Sequence, residues 1–258
     1  MATTKAKAKS TAVAVKKPSG AVISIQEQLR AQAAAMAGRI APPTGNKIKI
    51  GQNKQFTLPD GSVTDTLDLV IVDFTSKNTF YEGAFDPNNI TPPACFAIGP
   101  EPKNLVPSAN SPAKQSDDCA SCPLNQFGSS GKGKACKNSR VLAVLPPEAD
   151  ADTPIWTLEV SPTGIKGFDG FAGNVNRAFG MPPISVVVTV SFNPAETFAS
   201  LVFSDPRPNE NLEVHFGRQA EAQELLAVEP DVSSYGQAPA KPAGRAVATR
   251  RPTVAARR

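Results

Sequence analysis

The stretch 184-ISVVVTVSF-192, followed after Asn193-Pro194 by 198-FASLVF-203, decides the fold class. Two runs rich in Val, Ile and Phe, broken by an Asn-Pro turn, read as the paired strands of a β-hairpin. Upstream, 67-LDLVIVDF-74 reads as a longer strand, and 47-KIKI-50 alternates polar and apolar residues before the turn signal Pro59-Asp60-Gly61. Ala94 to Ile98, Val141 to Leu145 and Ile155 to Val160 add further strands. Phe168, Phe171, Val175 and Phe179 recur at steps of three and four, which predicts an amphipathic helix stopped by Gly180 and Pro182-Pro183. That spacing assigns Phe168, Phe171 and Phe179 to the core. A last helix is expected over Gln219 to Ala227. An early one is expected over roughly 24–37, opened by the capping box Ser24-Ile25-Gln26-Glu27. Five to seven strands with few helices make a mostly β (α+β) domain, for which an OB-like small barrel with an inserted loop fits best.

Charge divides the chain into three. Residues 1–20 hold five lysines and no acid, and residues 229–258 hold Lys241, Arg245, Arg250, Arg251, Arg257 and Arg258 against Glu229 and Asp231. Taking these +5 and +4 from the total of +4 leaves −5 on residues 21–228. The expected organisation is therefore a disordered basic tail (1–20), a mildly acidic domain (21–228) and a disordered Pro/Ala/Arg-rich basic tail (229–258). Basic tails seek polyanions, nucleic acid above all. No apolar run approaches the roughly 20 residues that span a bilayer. Met1–Gly20 has no apolar stretch of signal-peptide length, so the expected compartment is the cytoplasm, the host's if the chain is viral.

Residues 99–139 are rich in Pro, Ser, Asn, Gly and Lys and carry few large apolar groups. A loop of that length without a core needs a staple, and it holds three of the four cysteines. Cys119-Ala120-Ser121-Cys122 puts two thiols on one tight turn, Cys95 stands where the chain enters the segment, and Cys136 stands where it leaves. Four thiolates with no open position describe a closed, tetrahedral structural Zn²⁺ site, with the insertion bounded by residues 95–140. Packed unliganded thiols, an iron–sulfur cluster and a redox Cys-x-x-Cys are the rival readings. The redox reading is the poorest, since Pro123 follows inside a loop where that motif requires a helix.

Enzyme-like signals are incomplete. Gly128 to Ala135 approaches a phosphate-binding P-loop, but Ala135 replaces the Ser or Thr that would hold Mg²⁺. Asp68 and Asp73, five residues apart on one strand, point to opposite faces and cannot share a metal without a bulge, and Asp65 alone does not complete a nuclease site. His215, the only histidine, falls in the alternating stretch LEVHF and reads as a plain strand residue. With no activated nucleophile in view, a non-catalytic binding protein is expected. Gly131-Lys132-Gly133-Lys134, with Lys137 and Arg140 beside it, suits a basic tip that meets phosphates. Phe80, Tyr81 and Trp156 are the candidate platforms for stacked bases.

The run CFAIG (95–99), then 119-CASCPLNQFGSSGKGKACKNSRVLAVL-145, then ISVVVTVSF–FASLVF, resembles phage-encoded single-stranded DNA-binding and related replication proteins. The likeness spans roughly residues 45–217, and the cysteine segment is its specific part. It implies an OB-like, non-catalytic protein that coats single strands during replication, recombination or repair. Many such proteins end in an acidic tail that recruits partners, whereas this chain ends in basic residues. The alternative is a zinc-stabilised regulator that grips host RNA polymerase or another replication or transcription protein, which the −5 body favours. A nucleoid-like protein whose tails alone bind duplex DNA is a third possibility.

Overall fold

The fourteen-residue strand Leu67–Phe80 (β4) is the spine of the fold. In the computed structural model, residues 45–83, 86 and 90–236 are described, together with Ile25, Gln28 and Gln32, which are helical. The remainder of the expected early helix and the basic residues of both tails lie outside the described residues. The chain divides into Met1–Gly45 and Asn46–Arg258, and all that follows concerns the second unit.

Around β4 the strands are Lys47–Ile50 (β1), Phe56–Thr57 (β2), Val63–Thr64 (β3), Cys95–Gly99 (β5), Lys137–Leu145 (β6), Trp156–Val160 (β7), Val186–Phe192 (β8) and Leu201–Pro208 (β9). They form one curled, open sheet in the order β3-β2-β1-β7-β6-β4-β8-β9, with β5 also on β4. The architecture is mostly β. All neighbours are antiparallel except β1 and β7. The expected hairpin is present as β8 and β9, although its second strand starts at Leu201 and runs on to Pro208. β4 pairs with β6 along most of its length, with β8 through residues 67–70 and with β5 through residues 76–80.

Strand alternation sorts side chains onto two faces. On the first, Leu69, Ile71, Leu142, Val144, Leu158 and Val188 meet Phe168, Phe171 and Val175 of helix α1 (Ile165–Phe179). Phe168 sits edge-on to Phe74 and Phe203, with ring centroids 4.9 and 5.4 Å away. Each such buried side chain contributes about 1.5–3 kcal/mol. Gly180, at φ 65°, closes α1 in the left-handed conformation that a glycine adopts without strain. Phe179, expected in the core, is 46% exposed. It lies in the last turn, beyond the edge of the sheet that its helical spacing suggested it would cover.

On the second face, Val70, Val72, Ala143, Leu145 and Val187 pack against Ala222 and Leu226 of α3 (Gln219–Leu226). The preceding short helix, α2 (Leu212–Gly217), holds His215, which is a helical residue where alternation suggested a strand. Its imidazole is fully buried between Asn209 Oδ1 and the Pro146 carbonyl, 3.1 Å from each. Five alternating residues also fit one and a half turns of helix, and the helical turn carries the ring inward to Asn209 and Pro146.

Candidate metal centre and nucleic-acid interface

Beyond Asp73 the character of β4 changes. Thr75, Ser76, Asn78 and Thr79 are buried, yet none is apolar. On the first face, Asn78 and Phe80 come level with Cys95, the first residue of β5, and with Cys136, which precedes β6. The segment 100–136 folds over them and is tied down by backbone bonds. Ser108 N donates to Phe96 O (2.8 Å), Ala113 N to Ala94 O (2.8 Å), Cys119 N to Leu105 O (3.0 Å) and Cys136 N to Leu124 O (2.9 Å). The first two cover the outer edge of β5, which would otherwise offer unpaired groups.

The result brings all four predicted cysteines together. Cys95, Cys119, Cys122 and Cys136 line one cavity of about 10 Å³, with Asn78, Phe80 and Asn125 among its other walls. That is room for about one water-sized sphere. None of the four is in a disulfide, and all are buried. Among the described residues, no three His, Cys, Asp or Glu side chains stand ready grouped around a metal position, so the thiols share a cavity without yet converging on a point. Their electrostatics couple them: burial, then the neighbouring Cys119, Cys122 and Cys95, push the Cys136 thiol up to about 12. Burial also raises Cys119, partly offset by a hydrogen bond from Asn78.

Amide side chains brace this centre. Asn125 Nδ2 donates to the Cys119 carbonyl (2.6 Å), and Gln126 Nε2 donates to the carbonyls of Ala120 (2.8 Å) and Cys122 (3.2 Å). Asn138 Nδ2 donates to Asn125 Oδ1 (3.0 Å) and also to Asn78. Asp118 caps the turn by accepting from Ser121 N and Oγ. Asn125 had no signal in the sequence beyond its nearness to Cys122, and Asn78 had none.

The opposite face at the same end of the sheet is open. A groove of about 1250 Å³ runs over it, lined by Lys47, Lys49, Thr79, Tyr81, Lys137 and Ser139 among others. Glu159 lies in its floor, 3.0 Å from Lys47 and 3.7 Å from Lys77. Burial opposes ionisation of Glu159, but Lys77 and Lys47 more than offset it and hold its carboxyl below the usual range. The Lys137 ammonium stands 5.8 Å from the centroid of the Tyr81 ring, a cation–π distance. Burial and then Glu159 raise the Tyr81 phenol, so it stays neutral.

The predicted nucleic-acid residues therefore do not share one surface. Tyr81 and Lys137 meet in the groove. Lys132 and Lys134 are exposed at the tip of the insertion. Phe80, one residue from Tyr81, faces the cysteine cavity instead, as alternation requires. Trp156 packs against the main core. Arg140 is only 8% exposed and is held by Asp169 of α1 through Nε at 3.2 Å and Nη2 at 3.0 Å, so it is a structural ion pair and not a phosphate contact. Lys47 and Lys49 were missed, although KIKI places both on one strand face. Lys77, Thr79 and Tyr81 follow the same two-residue period.

The incomplete enzyme signals stay incomplete. Gly128–Ala135 is an irregular loop with no helix after it. A bulge between Ile71 and Asp73 does put Asp68 and Asp73 on the same face, contrary to simple alternation. Their partners are nonetheless separate: Asp68 pairs with Arg207 (2.7 Å), and Asp73 accepts from Gln223 (3.0 Å). Among the described residues, no helix is long and apolar enough to cross a membrane. No family model, curated protein or solved structure matches the chain.

Proposed function

We propose that this protein binds single-stranded nucleic acid along the groove over Tyr81 and Lys137, and that one Zn²⁺ held by Cys95, Cys119, Cys122 and Cys136 stabilises the wall that shapes it. The observation that carries the reading is the groove itself. It is open and lined by Lys47, Lys49 and Lys137 beside the Tyr81 ring, with Lys77 on the same sheet face, and its walls also carry apolar residues such as Ile50 and Ile90 and the acids Asp86, Glu159 and Asp231. Ammonium groups suit phosphates, and a ring on a sheet suits an unpaired base, which a duplex keeps stacked on its neighbours. The OB-like single-strand binders of phage replication, recombination and repair join a curled sheet to the same chemistry. The groove also receives the end of the described chain: Asp231 and Ser234 line it, and the six basic residues of 241–258 follow in sequence.

Zinc fits the cysteine cavity on chemistry. Four cysteines line one void of about a small sphere's size, and drawing their sulfurs together onto an ion would turn it into a closed tetrahedral site. Bound metal would supply the cohesion that the apolar-poor segment 100–136 lacks.

The test is fluorescence anisotropy with labelled oligonucleotides, single-stranded and duplex, across a salt series. Full-length protein should bind the single strand more tightly, and Tyr81→Ala and Lys137→Glu should each weaken it about 10-fold, within the roughly 1–3 kcal/mol of one stacked base. Equal binding to both forms, steep in salt and indifferent to both substitutions, would leave only phosphate attraction by the tails. That result would favour the alternative, a zinc-stabilised partner of transcription or replication proteins.

A further inference from the structure

Phe127 is the most exposed phenylalanine among the described residues, ahead of Phe216 at 62%. Phe127 is 81% exposed, whereas Phe56, Phe96 and Phe168 are at most 1% exposed. It stands at the tip of the insertion, and its backbone is tied on both sides. The preceding Gln126 is fixed through its side chain to the Ala120 and Cys122 carbonyls. The following Gly128, at φ 93°, donates to the Gly133 carbonyl at 2.8 Å. Ser129 closes the turn, its Oγ donating to Leu124 O (2.8 Å) and accepting from Ala135 N (2.9 Å). The ring is thus presented by a braced turn in which a side chain at Gly128 would be strained.

The surroundings of that ring are basic. Gly133, bonded to the neighbour of Phe127, lies between the exposed Lys132 and Lys134. The chain then passes through Ala135 and Lys137, both in the wall of the groove. The tip is therefore continuous along the backbone with the groove.

We propose that Phe127 is a base-stacking platform, with Lys132 and Lys134 receiving the adjacent phosphates, so that the insertion tip is a second contact for the single strand bound in the groove. The proposal rests on the nucleic-acid reading above. An exposed ring on the same tip as the exposed Lys132 and Lys134, the latter's ammonium donating to Asn125 Oδ1 at 3.3 Å, suits an unpaired nucleotide, which offers a flat π-surface and a phosphate a few ångströms apart. A duplex offers its phosphates alone, since its bases are already stacked.

The experiment compares full-length wild type with Phe127→Ala, Phe127→Leu and Phe127→Trp, titrated against labelled oligothymidine, against the same length of abasic strand, and against duplex. Stacking predicts that the Ala and Leu variants bind oligothymidine roughly 5- to 100-fold more weakly and that Trp stays within a few-fold of wild type. On the abasic strand the four proteins should converge. Full affinity in the Leu variant would mean a merely apolar contact and would overturn the proposal. So would unchanged affinity in all three variants; if Tyr81→Ala and Lys137→Glu still weaken binding in that case, the groove reading survives alone. Wild-type protein that binds no oligonucleotide would remove both, and an exposed Phe127 would then belong to a protein interface.

Discussion

Along β4, residues 67–72 run between two apolar layers, whereas residues 75–80 run between a cysteine-lined cavity and an open groove. The first half has α1 on one face and α3 on the other, with Leu69, Val70, Ile71 and Val72 all almost wholly buried. The second half buries Thr75, Ser76, Asn78 and Thr79, whose polar atoms must be satisfied one by one. They are: among the described residues no buried side-chain nitrogen or oxygen lacks a partner. The same strand thus passes from a region held by the hydrophobic effect to one held by hydrogen bonds and, on our reading, a metal. The β-bulge between Ile71 and Asp73 marks the passage. Apolar layers stabilise but leave no surface for a ligand; the second region gives up one layer and gains a groove.

The comparison implies two separable responses. Phe168→Ala removes the ring that joins α1 to Phe74 and Phe203, and should destabilise the whole domain by about 3–5 kcal/mol. Urea unfolding followed through Trp156, the only tryptophan and a neighbour of that core, reads this directly. A smaller, local effect is expected at the other end. Cys136→Ser, or treatment with a strong chelator, should release residues 100–136 to proteolysis and hydrogen exchange, with a cost of about 1–3 kcal/mol for the serine hydroxyl left in a buried cavity. The Trp156 transition should move little. If chelation leaves exchange in 100–136 untouched, the second region holds without metal; if it lowers the Trp156 midpoint as far as Phe168→Ala does, the two regions are one.

This contrast also explains what could be read in advance. The first region was legible because apolar patterning reports burial: VIV in β4, VVV in β8 and the three- and four-residue steps of α1 each mark an element that packs on an apolar layer. In the cysteine segment chemistry replaced periodicity, and Cys-x-x-Cys with two flanking cysteines was enough to collect four side chains at one cavity. The groove was only half legible. Lys137 and Tyr81 were found, but Lys47 and Lys49 come from a strand far from Lys137 in the chain, brought alongside by the parallel β1–β7 pairing. Arg140 and Trp156 misled because local sequence does not reveal the facing element, here Asp169 on α1 and the main core. His215 misled because period-two alternation over five residues also fits one and a half turns of helix.

His215 offers the finest probe of the first region, through pH. Its ring is buried with Asn209 Oδ1 at one nitrogen and the Pro146 carbonyl at the other, two acceptors of which the neutral ring can satisfy only one as donor. Burial opposes the imidazolium more strongly than the Pro146 and Asn211 backbone favours it, so the folded-state pKa lies below the ordinary value. The unfolded chain, near pKa 6.5, then takes up its proton first on acidification. Stability should be complete above that value, fall as pH drops through it, and level off below the folded pKa. The Trp156 urea midpoint, measured from pH 8 to pH 5, should therefore decline on the acid side, and His215→Gln should flatten the decline. Because the lowered carboxylates titrate below this window, the histidine is the group expected to set the slope. A midpoint that rises toward pH 5 would mean that the paired acceptors outweigh burial and that the folded domain prefers the imidazolium. The apolar layer around α2 would then be less dry than its packing implies, and the difference between the two halves of β4 correspondingly smaller.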